Sequence, residues 1–322
     1  MSPPAAIDLA PVLLSQLPAW LASRLGPSAI VTGVHKLAGG YSNETWRVDC
    51  RVEGAPFAFV LRRSSKDGVA SPFDMQLADE FALLKALAPT PIPAPEPLWL
   101  ERDSALLGEP FLAMACVGGE TGPRFFPLDD PARDAKLQSY VDTLASIHQL
   151  DWEAHGIGRI LAIPTAQSCA QDALRHMIQI VEGRGVGDDP LIRRAIAWLQ
   201  ERLPPQSRVT LVHGDPNISN YRFCGSSVVA VLDWELAKLT DPAWDLAFYC
   251  GSLVKFFHSS SLVQARERER FLDLYEERTS QRYDLAFWDV LFMLRAASGS
   301  QLAGMRGNQT DAYRQHLKVL TA

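Results

Sequence analysis

Apolar residues recur at helical spacing through Ile7, Leu9, Val12, Leu13, Leu17, Trp20, Leu21 and Leu25, which predicts an amphipathic helix over 7–25. Pro11 suits an early turn of that helix, whereas Pro18 is expected to kink or split it. From Ile30 the pattern changes to strand-like runs at 30–37, 44–52 and 56–63, with Glu53-Gly54 marking a hairpin turn. Helical spacing returns over 73–87 through Phe73, Leu77, Phe81, Leu84 and Leu87. A Pro-rich stretch at 89–97 ends it and leads to short strands near 97–101 and 110–116. Beyond that point the pattern is overwhelmingly helical. Leu137, Val141, Leu144 and His148 share one helical face, which makes His148 a core histidine. Further amphipathic segments fall near 165–183, 189–203, 242–256, 261–279, 284–305 and 309–320, and only 209–235 interrupts them with strand-like runs.

These elements predict an α+β chain: an N-terminal helical segment (1–26), a small β-rich lobe (27–117) and a larger, mostly helical lobe (118–322). The join at Cys116-Val117-Gly118-Gly119 carries two glycines that a hinge tolerates. A ligand is expected at the interface of two such lobes, the usual place for a cleft. Composition sharpens the picture by exclusion. With 322 residues, 47% hydrophobic and 21% charged, the chain reads as globular, and its net charge of −6 offers no attraction for nucleic acid. No Lys or Arg precedes Arg24, and no apolar run approaches the roughly 20 residues a bilayer span requires. The five cysteines include no Cys-x-x-Cys pair and read as reduced thiols, so a cytoplasmic location without a membrane partner is expected.

The chemistry concentrates in 209–235. An apolar run delivers His213-Gly214-Asp215, Asn220 stands five residues beyond Asp215, and a second apolar run ends at Asp233-Trp234-Glu235. A loop Asp can take the proton of an attacking hydroxyl, while an Asn and a hairpin Asp can hold the metal that carries a nucleotide's phosphates. Protein kinases order the same residue types in this way, with Arg where this chain has Gly214. Asp215 beside Pro216 and Asn220 in its loop also suit plain turn roles.

Taken with Asp241-Pro242-x-x-Asp245-Leu246-Ala247, these motifs resemble the aminoglycoside phosphotransferase family, small-molecule kinases with a protein-kinase-like fold of two lobes. The likeness runs in weaker form from about Lys36 to Ala297. It implies Asp215 as catalytic base, Asn220 and Asp233 as Mg²⁺ ligands, and ATP as phosphoryl donor. It further implies that His213 hydrogen-bonds the loop backbone and that Asp245 braces the loop by accepting backbone N–H bonds. For Asp245 the alternative is a carboxylate that favours the helix dipole, while Asp241 reads as an N-cap ahead of Pro242. Glu235 is the weaker member of its tripeptide, because Leu236-Ala237-Lys238 reads as a solvated connection.

Upstream, Gly39, Gly40, Ser42 and Asn43 lie in a segment that resembles the family's nucleotide-covering loop, although a ligand-free Gly-Gly hairpin has the same pattern. Arg62 aligns with the lysine that kinases use to bridge phosphates to a helix acid, and Glu80 matches that acid. Arg supplies the charge with different geometry, and a surface charge on an edge strand remains the alternative for Arg62 or Arg63. Met114 and Cys116 fall where the family's backbone pairs with adenine, a position that an ordinary buried strand also fits.

The acceptor implied is a small molecule with a hydroxyl. A polycationic aminoglycoside calls for carboxylates, whereas the charges at 266–278 alternate in sign and read as a solvated helix face. Leu61-Arg62-Arg63 and Val117-Gly-Gly-Glu-Thr121 look closer to the branch found beside acyl-CoA dehydrogenase domains, which hints at a hydroxy acid or acyl hydroxyl. Two rivals stay open: a pseudokinase-like nucleotide binder, suggested by Arg62, and a metal-dependent hydrolase using His213, Asp215 and Asp233.

Overall fold

The computed structural model describes residues 9–37, 43–64, 75–256, 260–299 and 307–322. Gly39, Gly40, Ser42 and Phe73 lie outside the described residues. The chain separates into two compact units, Met1–Gly118 and Gly119–Ala322.

The first unit opens with α1 (Ala10–Leu25), followed by β1 (Ile30–Lys36), β2 (Asn43–Val52), β3 (Ala55–Ser64), α2 (Leu77–Leu87), β4 (Pro97–Glu101) and β5 (Phe111–Ala115). The strands form one antiparallel sheet in the order β1-β2-β3-β5-β4. At the β2–β3 turn both Glu53 (φ 53°) and Gly54 (φ 81°) are left-handed, the backbone that closes a tight hairpin with the right twist. Pro18 does not split α1. The helix runs unbroken through it because Leu13, Leu17, Trp20 and Leu21 bury one face on both sides of the proline. Each such side chain contributes about 1.5–3 kcal/mol, so together they outweigh the roughly 3 kcal/mol that an interior proline costs. That face packs with Trp46, Val48, Phe59, Leu61 and Phe111 from the sheet. The Trp20 indole donates to Glu101 Oε2 at 3.0 Å and stands edge-on to Phe111.

The second unit carries β6 (Glu120–Thr121), α3 (Arg133–His148), α4 (Cys169–Gly183), α5 (Pro190–Glu201), β7 (Thr210–Val212), β8 (Tyr221–Cys224), β9 (Ser227–Val231), β10 (Lys238–Thr240), α6 (Ala243–Phe256), α7 (Ser261–Thr279), α8 (Ala286–Gly299) and α9 (Gly307–Leu320). Two small antiparallel sheets, β6-β8-β9 and β10-β7, sit among these helices. Residues 236–238 are not a solvated connection. Ala237 is buried, and Lys238 pairs with Val212 because β10 closes the edge of β7. The core is aromatic: Tyr140 and Phe271 surround Tyr249, whose ring stacks on Phe271 at 4.0 Å. The charges of α7 are paired with one another and with neighbours. Arg282 joins Glu269, Asp273 and Glu276, Arg268 grips Asp289, and Arg133 meets Glu267.

Candidate active site

The site in the second unit is built from two turns, one after β7 and one after β9. Gly214 has φ 83°, and a Cβ there would sit inside the van der Waals radius of the Leu236 carbonyl oxygen. No side chain fits, which is why glycine occupies the place of the kinase arginine. The loop is held from beneath by Asp245, in the first turn of α6. Its fully buried carboxylate accepts the His213 N–H at 2.8 Å, the Gly214 N–H at 2.9 Å and a bond from His148 Nε2 at 3.1 Å. His148 Nδ1 in turn meets the Tyr275 hydroxyl at 2.8 Å. His148 is thus the core histidine the pattern indicates, and it also orients the brace. Asp241 caps α6 by accepting the Ala243 N–H at 2.8 Å, with Pro242 next in the chain.

The two turns are tied together. His213 Nδ1 accepts the Asp215 N–H at 3.3 Å, so in the neutral ring Nε2 carries the proton and donates to Leu232 O at 2.8 Å. Leu232 N–H donates to Asn220 O at 2.7 Å, and Asn220 Nδ2 donates to Asp215 O at 2.9 Å. Asp215, Asn220 and Asp233 are thereby brought to one place. Asp233 is held left-handed (φ 65°), a conformation Asp tolerates better than most residues. Burial pushes the Asp215 carboxyl above the usual carboxylate range; Arg295 and His213 oppose that shift, and Asp233 adds to it.

Asn217, which the motif spacing does not single out, donates to Asp215 Oδ1 at 2.5 Å. Tyr140 fixes the loop further by donating to Pro216 O at 2.7 Å. Two cationic side chains near the loop were also invisible in the pattern, Lys238 on β10 and Arg295 on α8.

In the first unit, Arg62 and Glu80 are both buried and meet at 2.9 Å. Alternation along β3 explains it: Phe59, Leu61 and Arg63 share one face, whereas Arg62 projects from the other, toward α2. Arg62 is therefore no surface charge, and Arg63 pairs with Glu44 at 3.3 Å across β2. Asn43 opens β2 opposite Ser64. Met114 sits inside the sheet, paired with Val60 and Pro97, while Cys116 lies just past the strand, half-buried.

The donor set suits magnesium. One carboxylate and one amide oxygen fit a hard cation that shares its ligands with phosphates. The hydrolase alternative fits less well, because both His213 ring nitrogens are engaged with backbone groups. Among the described residues no cluster of three His, Cys, Asp or Glu could hold a metal ion. Among them, too, no helix is long and apolar enough to cross a membrane.

Known proteins resemble this chain over much of its length. Acyl-CoA dehydrogenase family member 10 of Mus musculus is 32% identical over 219 residues, covering 66% of this chain and 19% of that protein. Acyl-CoA dehydrogenase family member 11 of Rattus norvegicus is 30% identical over 291 residues, covering 86% of this chain and 36% of that protein. The chain thus spans about a fifth to a third of the length of these relatives. Among solved structures, a thermostable mutant of aminoglycoside phosphotransferase APH(4)-Ia, in ternary complex with ADP and hygromycin B, superposes with a TM-score of 0.67 at 17% identity. That match covers 95% of this chain and 98% of the other, and establishes the shared fold. A sequence model of the phosphotransferase enzyme family matches residues 33–288, so the chain belongs to that family.

Proposed function

We propose that the protein is an ATP-dependent kinase that transfers the γ-phosphoryl group to a hydroxyl of a small molecule. The observation that carries this reading is the tie between the two turns, which gathers one potential base and two oxygen ligands on a buried scaffold. Asp215 positions the acceptor hydroxyl and takes up its proton, and Asn217 holds one carboxylate oxygen so that the other faces the acceptor. Asn220 and Asp233 hold Mg²⁺, which neutralises charge on the phosphates when bound. The Arg62–Glu80 pair serves the nucleotide's phosphates, with Asn43 and the outlying Gly39, Gly40 and Ser42 as their cover. Because Met114 is enclosed by two neighbouring strands, adenine pairing falls to the backbone at Cys116.

Little covalent work falls to the protein in such a reaction; positioning and electrostatics carry it. A pseudokinase-like binder would have no use for a base held this tightly. The test is ADP release from Mg-ATP across hydroxy acids, choline, amino alcohols, sugars and aminoglycosides. Turnover with at least one acceptor is expected; nucleotide-induced thermal stabilisation with no turnover on any of them favours the binder. Asp233→Ala should weaken Mg-nucleotide binding by about tenfold or more in titration calorimetry while leaving metal-free nucleotide binding alone. Unchanged Mg-nucleotide affinity in that variant rejects the metal role.

A further inference from the structure

The second unit begins with a segment, 119–122, that it holds at several points. β6 is only two residues long, and Glu120 and Thr121 pair with Phe223 and Arg222 of β8. A strand below the roughly 3–10 residues usual for the type is a weak attachment by itself. Further ties reinforce it. The Gly122 N–H donates to Tyr221 O at 2.8 Å, and a Cβ at Gly122 would overlap Ile218 O, so the segment lies flat on the turn Ile218–Asn220. Gly119 is left-handed (φ 84°), and a Cβ there would run into Phe223 O, whereas Gly118 leaves room for one. Arg222 completes the attachment with its guanidinium: Nη1 donates to Thr121 Oγ1 at 2.6 Å, and Nη2 donates to Gly119 O. Of the two glycines that a hinge tolerates, Gly119 is thus fixed within the second unit.

Resting on the kinase reading above, we propose that Arg222 is a positioning residue for the nucleotide: it ties the stretch that follows the base-pairing backbone to the turn that carries Asn220, and so sets the spacing at which base and triphosphate are gripped. The path along the chain is short. Cys116 precedes Gly119 by three residues, a reach of at most about 11 Å, and Asn220 precedes Arg222 by two. Residues 218–222 therefore serve both ends, Asn220 as a metal ligand and Ile218, Tyr221 and Arg222 as the seat of 119–122. Phe126 carries the attachment inward, edge-on to both Phe223 and Tyr140, and Tyr140 donates to Pro216 O in the catalytic loop. Arginine suits the task because its planar fork reaches two acceptors two residues apart, which one ammonium on a flexible stem matches poorly. Both bonds are exposed, so they add little to global stability and act on the placing of the segment. A ligand held at both ends gains from a set spacing, since binding at one end raises the effective concentration of the other. A ligand held at one end gains nothing from it.

Three ligands separate the two ends: MgATP, magnesium tripolyphosphate and adenosine, each titrated calorimetrically into the full chain. Arg222→Ala should weaken MgATP binding about tenfold while tripolyphosphate and adenosine stay within about twofold of wild type. In turnover, with an acceptor found by the screen above, KM for ATP should rise by a like factor and kcat at saturating ATP should hold. The melting temperature should stay within about 2 °C of wild type. Arg222→Lys should recover part of the loss, and Thr121→Val, which removes one of the two bonds, should weaken MgATP by only about two- to threefold. Unchanged MgATP affinity in Arg222→Ala overturns the role. So does an equal loss for tripolyphosphate or for adenosine, which would make Arg222 a direct contact to the phosphates or the base, and so does a loss that tracks a lowered melting temperature. A loss confined to MgATP, without turnover of any acceptor, would keep the positioning role and refute the kinase reading. Turnover with unchanged ATP affinity in Arg222→Ala would do the reverse, and a wild-type chain that binds no MgATP would refute both.

Discussion

Replacing Asp215 with Ala should reduce phosphate transfer by about 10²–10⁴-fold, the usual loss when a positioned general base is removed. Nucleotide binding should survive, because the backbone ties that hold Asn220 and the turn of Asp233, and the Arg62–Glu80 pair, remain without that carboxylate. Asn220 holds Asp215 through the backbone carbonyl, which alanine retains, so the turn keeps its shape. The effect should therefore fall on kcat, with nucleotide affinity within a few-fold of wild type in calorimetry. Removing Asp233 should give the opposite division. Wild-type-like turnover in Asp215→Ala, with a verified acceptor, refutes the base assignment.

A larger structural effect is expected from Asp245→Ala. The side chain is fully buried, and its loss leaves the His213 and Gly214 N–H groups without an acceptor and removes the partner of His148 Nε2. Each charged hydrogen bond of this kind is worth about 1.5–3 kcal/mol, so a loss of roughly 3 kcal/mol or more is expected. For a unit of this size that corresponds to a fall in Tm of about 6–12 °C, readable by calorimetric or fluorescence melting. Activity should fall as well below the transition, since the loop that carries Asp215 would lose its support. A melting temperature within a degree or two of wild type would show that the acid acts only on the helix dipole, the simpler alternative its position in the first turn suggests.

Much of this arrangement can be read from local pattern. The hairpin at Glu53-Gly54, the alternation that sends Arg62 to the α2 side of its strand, and the ordering of His213, Asp215, Asn220 and Asp233 are all short-range signals. Pro18 misleads because local propensity says nothing of the apolar face that overrides it. β6 and β10, of two and three residues, are too short for any periodicity and exist only through pairing with β8 and β7. Lys238 and Arg295 lie 57 positions apart, so tertiary folding alone brings them into one neighbourhood. An Asp-Pro-Asn turn commonly bonds its own side chains, which makes Asn217 a local candidate, but its aim at Asp215 is set by the fold of the loop.

The glycine at 214 closes a route to control that kinases keep open. In those enzymes activation segments are ordered by phosphorylation, through new pairs between arginine and the modified residue. Here the peptide at that position presses against a neighbouring chain segment and has a backbone twist that excludes side chains, so no charged arm can grow from it. The turn is held instead by the bonds that Asp245 accepts from His213 and Gly214. On the kinase reading, a switch that works by engaging a catalytic-loop arginine has nothing to grip at this turn.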